Sequence, residues 1–228
     1  MKHRKGYKFL KVVLGGFIQI AFPFKLIGKE KVQPGAKVLC GNHYRLWDIV
    51  HMAYVTRDPV HFVTKDELYK SRFLKFFCDV VEAIPVARDG RDVKAVMSAL
   101  RYLKAGETIS LFPEGGRNYS EEELMPLKGG SAMFAIKGKC PVYPVMCLHK
   151  TTLFRRTKII IGDPVDLSMY YGKRMTAQDY EDAEELIRQA MLSTKHNYLD
   201  EQKRIREEKR AKKQAKKRGK KTKDGSEA

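Results

Sequence analysis

The 228-residue sequence has few cysteines and no disulfide framework. Its four cysteines are widely spaced: Cys40, Cys78, Cys140 and Cys147. A chain of this length can bury a sizeable core without covalent crosslinks, so reduced thiols are expected. A zinc site remains an alternative because Cys40 and His43 have a short ligand spacing, although no C-x-x-C pair supports it. Its four ligands would be Cys40, His43, Cys147 and His149.

The sequence also lacks the motifs of several common reactions. It contains no G-x-x-x-x-G-K-[ST] segment, and no G-x-G-x-x-G segment follows a predicted strand, so nucleotide binding of either kind is not supported. There is no G-x-S-x-G segment either, which argues against a serine acyl-enzyme.

No apolar run is long enough for a typical spanning helix. The apolar segment at residues 9–24 is shorter than the roughly 20 residues that such a helix needs, and Lys11 and Gln19 interrupt it. Lysines and an arginine flank it, which favours a helix lying in the membrane interface. The alternative is a core helix of the domain.

Acidic residues are outnumbered, and the formal net charge is +18. Residues 201–228 carry +8 of this charge, which leaves +10 for the rest of the chain. A basic body and tail suit an anionic partner, either nucleic acid or an anionic membrane surface. The low-complexity tail either extends the last helix or frays.

Strand-like and helical patterns alternate from residue 37 onward, which predicts a mostly parallel α/β sheet. Strands are predicted at 37–41, 60–64, 82–86, 108–113, 141–147 and 158–162. Helices are predicted at 47–56, 66–77, 92–106, 128–138 and from about Thr176, where T-A-Q-D offers a capping box. The resulting organisation is an interfacial segment at 1–30, a catalytic domain at 31–200 and a basic tail at 201–228.

Two segments place polar side chains where predicted strands end. The first is N-H-Y-R-L-W-D at 42–48, in which a histidine in the loop and an aspartate at the start of the helix can meet. The aspartate would fix one imidazole nitrogen and leave the other free to take a proton. The second is F-P-E-G-G-R-N at 112–118, where glycines permit close backbone approach and an arginine suits phosphate.

With A-I-P-V-A-R at 83–88 and C-P-V-Y-P-V at 140–145, these segments resemble the glycerophospholipid acyltransferase family. More specifically, they resemble its 1-acylglycerol-3-phosphate acyltransferases, and K-G-G at 128–130 is also similar. The resemblance covers roughly residues 25–165. It implies a mixed α/β sheet flanked by helices, with an N-terminal membrane-associating helical segment.

The resemblance implies residue roles only where the motifs match. His43 would be the general base and Asp48 its orienting partner. Arg88, Glu114, Gly115 and Arg117 would bind the glycerol-phosphate acceptor. The family's first motif usually has a serine where Arg45 stands, and its third reads E-G-T-R-S rather than E-G-G-R-N, so this sequence departs from the family in or beside the acceptor site.

The reaction implied is transfer of a fatty acyl group from acyl-CoA or acyl carrier protein to a lysophospholipid hydroxyl, without metal or cofactor. The expected location is the cytoplasmic face of the cell membrane, as a peripheral or monotopic protein. Alternatives are a different lysophospholipid acceptor, a basic RNA-binding module, or a membrane scaffold without activity. Nucleic acid is not the expected partner, because the body lacks RNA-recognition motifs.

Overall fold

A computed structural model describes residues 3–87 and 93–224, with side chains described up to residue 215. The chain divides into two compact units, Met1–Thr194 and Lys195–Ala228. The first unit contains the sheet, and the second continues the last helix to Asp224.

A seven-stranded sheet forms the centre of the first unit. Its order is β1-β7-β6-β2-β5-β3-β4, and every neighbouring pair is parallel except β6 and β7. This confirms the predicted α/β fold with a mixed, mostly parallel sheet. The strands are β1 Phe24–Ile27, β2 Lys37–Gly41, β3 Val60–Lys65, β4 Ile84–Val86, β5 Thr108–Leu111, β6 Val142–Cys147 and β7 Thr157–Ile161.

Helices cover both faces of the sheet. They are α1 Arg4–Ala21, α2 Asp48–Val55, α3 Arg72–Val80, α4 Val93–Lys104, α5 Ser131–Gly138 and α6 Ala177–Asp224. Successive side chains of a strand point to opposite faces. Accordingly Val38 and Cys40 lie in a core with α4, α5 and the start of α6, whereas Leu39 lies in a second core with α1 and α2.

One predicted helix differs from the structure, and one strand was not predicted. The helix predicted at 66–77 is a 3₁₀ turn at Asp66–Lys70 followed by α3, because Ser71 caps the new helix by accepting a hydrogen bond from the Leu74 amide at 3.4 Å. Strand β1 was not predicted, since its first residue belongs to the apolar segment at residues 9–24 that was interpreted as a helix. The capping box before α6 is confirmed: the Asp179 amide donates to Thr176 Oγ1 at 3.2 Å.

The N-terminal segment is part of the same compact unit as the sheet. Strand β1 pairs with β7, and Ile18 of α1 is fully buried. The Tyr54 hydroxyl donates to the Lys11 carbonyl at 2.7 Å and so fastens α1 to α2. Among residues 3–87 and 93–224 no helix has the length and apolarity needed to cross a membrane.

The contact between α1 and α2 predicts opposite effects for two adjacent glycines. A Cβ at Gly15 would lie 1.7 Å from the Tyr54 hydroxyl oxygen, so Gly15→Ala must displace that ring and its hydrogen bond. We expect the free energy of unfolding to fall by about 1–3 kcal/mol in urea titrations. Gly16→Ala is the matched control, because nothing lies within 4 Å of its Cβ. It should stabilise by roughly 0.5–1 kcal/mol. Equal changes in the free energy of unfolding for the two variants would contradict this packing of α1 against α2.

Candidate active site

The loop between β2 and α2 folds around one carboxylate. Asp48, the first residue of α2, is 3% exposed. Its Oδ2 accepts hydrogen bonds from the backbone amides of Tyr44 and Arg45, each at 2.7 Å. The helix therefore begins with a side chain that holds the preceding loop in place.

This loop brings the two predicted catalytic residues together. His43 Nδ1 lies 3.1 Å from Asp48 Oδ2, and the imidazole stacks on Phe112 with ring centroids 4.0 Å apart. The His43 side chain is 14% exposed. In the part of the chain that the structure describes, its Nε2 has no hydrogen-bond partner. A proton on Nδ1 would be held by the carboxylate, which leaves Nε2 able to accept a proton from a ligand.

Asp48 stays ionised despite its burial. Burial alone would raise the pKa of Asp48, but the hydrogen bond from His43, the nearby His51 ring and the hydrogen bond from the Arg45 amide together hold this pKa below its usual value. The charged form is thus the one that the loop is built around. A negative charge beside Nδ1 favours the imidazolium that forms when Nε2 takes a proton.

Glu114, which the motif implied as an acceptor contact, bonds the main chain of two loops. The side chain is 1% exposed, and both oxygens accept backbone hydrogen bonds. Oε1 accepts from the His43 amide at 2.8 Å, and Oε2 from the Met125 amide at 3.0 Å. Burial outweighs these bonds and raises the pKa of Glu114. This carboxyl group ties the turn after β5 to the loop after β2.

Two buried asparagines also hold the loop, and neither was assigned a role from the sequence. Asn42 exchanges two hydrogen bonds with the backbone of Cys147, at 3.0 and 2.8 Å, which ties the loop to the end of β6. The Asn118 amide donates to the His43 carbonyl at 2.6 Å. The Asn118 side chain bonds within its own turn, to Ser120 and Glu122. Asn42 lies in the segment 42–48 and Asn118 in the segment 112–118, and these positions were the only sequence signal for their structural roles.

The remaining predicted acceptor residues lie on the turn after β5 or outside the described residues. Gly115 has φ +68°. A Cβ added there would lie 2.6 Å from Lys128 Cδ, so the glycine leaves room for the lysine side chain. Arg117 is exposed, with its guanidinium 5.7 Å from the centroid of Tyr119. Arg88 follows β4 by two residues and lies outside the described residues.

The zinc alternative does not fit the geometry. Cys40 and Cys147 lie in cores on opposite faces of the sheet. Throughout residues 3–87 and 93–224, no group of three or more His, Cys, Asp or Glu side chains is placed to hold a metal ion.

The sequence and the fold are similar to those of known proteins. A curated 1-acyl-sn-glycerol-3-phosphate acyltransferase from Bacillus subtilis is 26% identical over 70% of this chain and 82% of its own length. One from Helicobacter pylori is 23% identical over 71% of each. The crystal structure of the 1-acyl-sn-glycerophosphate acyltransferase from Thermotoga maritima is 22% identical, with a TM-score of 0.60 over 84% of this chain and 78% of that one, which supports the fold.

A family model matches the part of the chain that contains the site. The Acyltransferase model matches residues 23–148, which is more than half of the chain and includes all of the loops described above. This confirms the resemblance seen in the motifs: the chain belongs to the Acyltransferase family.

Proposed function

We propose that the protein transfers a fatty acyl group from a thioester donor to the free hydroxyl of 1-acylglycerol-3-phosphate, giving phosphatidic acid. The donor is acyl-CoA or acyl carrier protein. The observation that carries the proposal is the His43–Asp48 pair, with one imidazole nitrogen held by a buried carboxylate and the other free. The names of the bacterial relatives support the acceptor.

In the proposed reaction, His43 Nε2 removes the proton of the acceptor hydroxyl as its oxygen attacks the thioester carbonyl. A hydroxyl is a weak nucleophile at neutral pH, so a positioned base contributes directly to the rate. Asp48 stabilises the imidazolium that forms. The tetrahedral intermediate then collapses, the carbon–sulfur bond breaks, and the thiol leaves with the proton from His43. No metal or cofactor takes part in these steps.

The acceptor phosphate has basic side chains within reach of the same loops. Arg45 is exposed two residues after His43, and exposed Arg117 adjoins Asn118, whose amide bonds the His43 carbonyl. Arg88, two residues beyond β4, is proposed as a third cation. Guanidinium groups bind phosphate monoesters in a bidentate manner, and a dianion gains more from them than a zwitterionic headgroup does.

We further propose that the protein binds an anionic membrane surface at the cytoplasmic face through α1. Its outward face is apolar and exposed, and the residues on it are Phe9, Val12, Val13, Phe17 and Ile20. Lys5 and Lys8 are exposed at its start. An apolar face with lysines at its edge suits the boundary between headgroups and acyl chains.

The loop between β6 and β7 extends this surface toward the active site. The Phe154 amide donates to the Ala21 carbonyl at the end of α1, at 2.7 Å. Leu153 and Phe154 are exposed there and are followed by exposed Arg155. Trp47, next to Asp48, contacts two phenylalanines of the α1 region, Phe17 and Phe22. A lipid held at this surface would therefore lie beside the His43 loop.

The base is tested by His43→Ala and Asp48→Asn in steady-state assays with acyl-CoA and lysophosphatidic acid. His43→Ala should lower kcat by about 10²–10⁴-fold, because the proposed proton acceptor is removed. Asp48→Asn should also be severe, since an amide NH₂ would face donors that now meet a carboxylate. His3→Ala, at an exposed histidine, is the control. Near-normal turnover of a folded His43→Ala protein would exclude this mechanism.

The phosphate contact is tested by Arg117→Lys, which keeps the charge but loses the planar fork. We expect the KM for lysophosphatidic acid to rise by about tenfold with little change in kcat. Arg101→Lys is the matched control, because Arg101 also stacks on a tyrosine, Tyr102, which in turn stacks on His61 near the amino end of β3. Equal KM values for the two variants would remove Arg117 from the acceptor site.

Membrane binding is tested by sedimentation with anionic vesicles. Ile20→Glu, at a side chain 75% exposed on α1, should weaken binding by at least about tenfold through lost apolar burial. Met97→Glu is the control, because it is 63% exposed on α4, which covers the other face of the sheet. Release of the parent protein by high salt alone would show that α1 is not inserted.

A further inference from the structure

A second histidine lies against the carboxylate that orients the first. His51 is on α2, one helical turn after Asp48, and is 2% exposed. Its Nδ1 lies 3.6 Å from Asp48 Oδ1, the oxygen that does not contact His43. The ring also packs on an apolar side chain, Phe24 of β1, with centroids 4.7 Å apart.

The polar atoms of this contact have no other partners. Asp48 Oδ1 and both ring nitrogens of His51 are buried without a hydrogen bond in the described part of the chain. A buried polar group without a partner is costly, so its retention calls for a reason. The separation of 3.6 Å exceeds a normal hydrogen bond, but a shortening of about 0.5 Å brings the two atoms into range.

We propose that His51 is a positioning residue for the acyl transfer, holding the second oxygen of Asp48 through a proton on Nδ1. This inference rests on the proposed role of His43 as base. Oδ2 already accepts from two backbone amides and from His43, so a donor at Oδ1 fixes the remaining rotation of the carboxylate. The three side chains would form a hydrogen-bonded chain, His43–Asp48–His51, in which only His43 touches substrate.

One consequence for the pH profile distinguishes this role from ordinary packing. Loss of the donor leaves Oδ1 uncompensated, so the carboxylate holds the protonated imidazole of His43 more strongly. The titratable groups beside the Asp48 carboxylate are His43 and His51, and Glu114 accepts a hydrogen bond from the His43 amide. The acid limb of the pH profile of kcat/KM should therefore move to higher pH when His51 loses its donor.

The test compares two substitutions with opposite properties. His51→Phe keeps the aromatic contact with Phe24 but removes the donor, and should lower kcat by about 10- to 100-fold, with the acid limb shifted and the acceptor KM little changed. His51→Asn loses the ring but places an amide NH₂ where Nδ1 stands, so it should retain most of the turnover and the parent pH profile. A packing role predicts the reverse order.

A control and a readout without substrate complete the test. His61→Phe alters an equally buried histidine bonded to Glu107, and should change thermal stability without moving the pH profile. Nitrogen-15 NMR of the parent protein should find the His51 proton on Nδ1. A proton on Nε2 alone, or parent-like kinetics of His51→Phe, would overturn the proposal. If the proposed role of His43 as base is wrong, His43→Ala will retain acyl-transfer activity, whatever the NMR result.

Discussion

The buried charge of Asp48 is the constraint on which the rest of the site depends. An ionised carboxylate that is removed from water must be compensated by nearby donors, because its desolvation costs several kcal/mol. The loop after β2 supplies these donors from its own backbone and from His43. The charge, the loop conformation and the imidazole orientation therefore depend on the same hydrogen bonds to Asp48 Oδ2.

The sheet turns this local arrangement into a site. Strands β2 and β5 are parallel neighbours, with Cys40 opposite Leu111, so their carboxyl ends emerge side by side. Glu114 and Asn118 can then bond the main chain on either side of His43. Phe112, from the same turn, fixes the plane of the imidazole. Residues far apart in sequence thus act on one side chain because the strand register places them there.

The sequence predicted those parts of the site that are local. An apolar strand, a Gly-Asn turn and a helix starting at Asp48 follow from neighbouring residues, and so does the pairing of His43 with Asp48. The partners of Glu114 and Asn118 depend on the pairing of β2 with β5, which periodicity does not reveal. The strand Phe24–Ile27 was missed because a short apolar run after an apolar helix has no pattern of its own. His51 was placed on a helix but given no function, although its i,i+3 spacing from Asp48 puts the two side chains on the same helix face.

The central claim is that this protein acylates the glycerol hydroxyl of lysophosphatidic acid. The most direct measurement is a competition assay of the full-length protein on vesicles, with labelled acyl-CoA or acyl carrier protein as donor. Lysophosphatidic acid, lysophosphatidylethanolamine and lysophosphatidylcholine would be supplied at equal concentration, and the labelled lipids separated. The account predicts that phosphatidic acid carries most of the label with at least one donor. Label found mainly in phosphatidylethanolamine or phosphatidylcholine, or in no phospholipid with either donor, would contradict it.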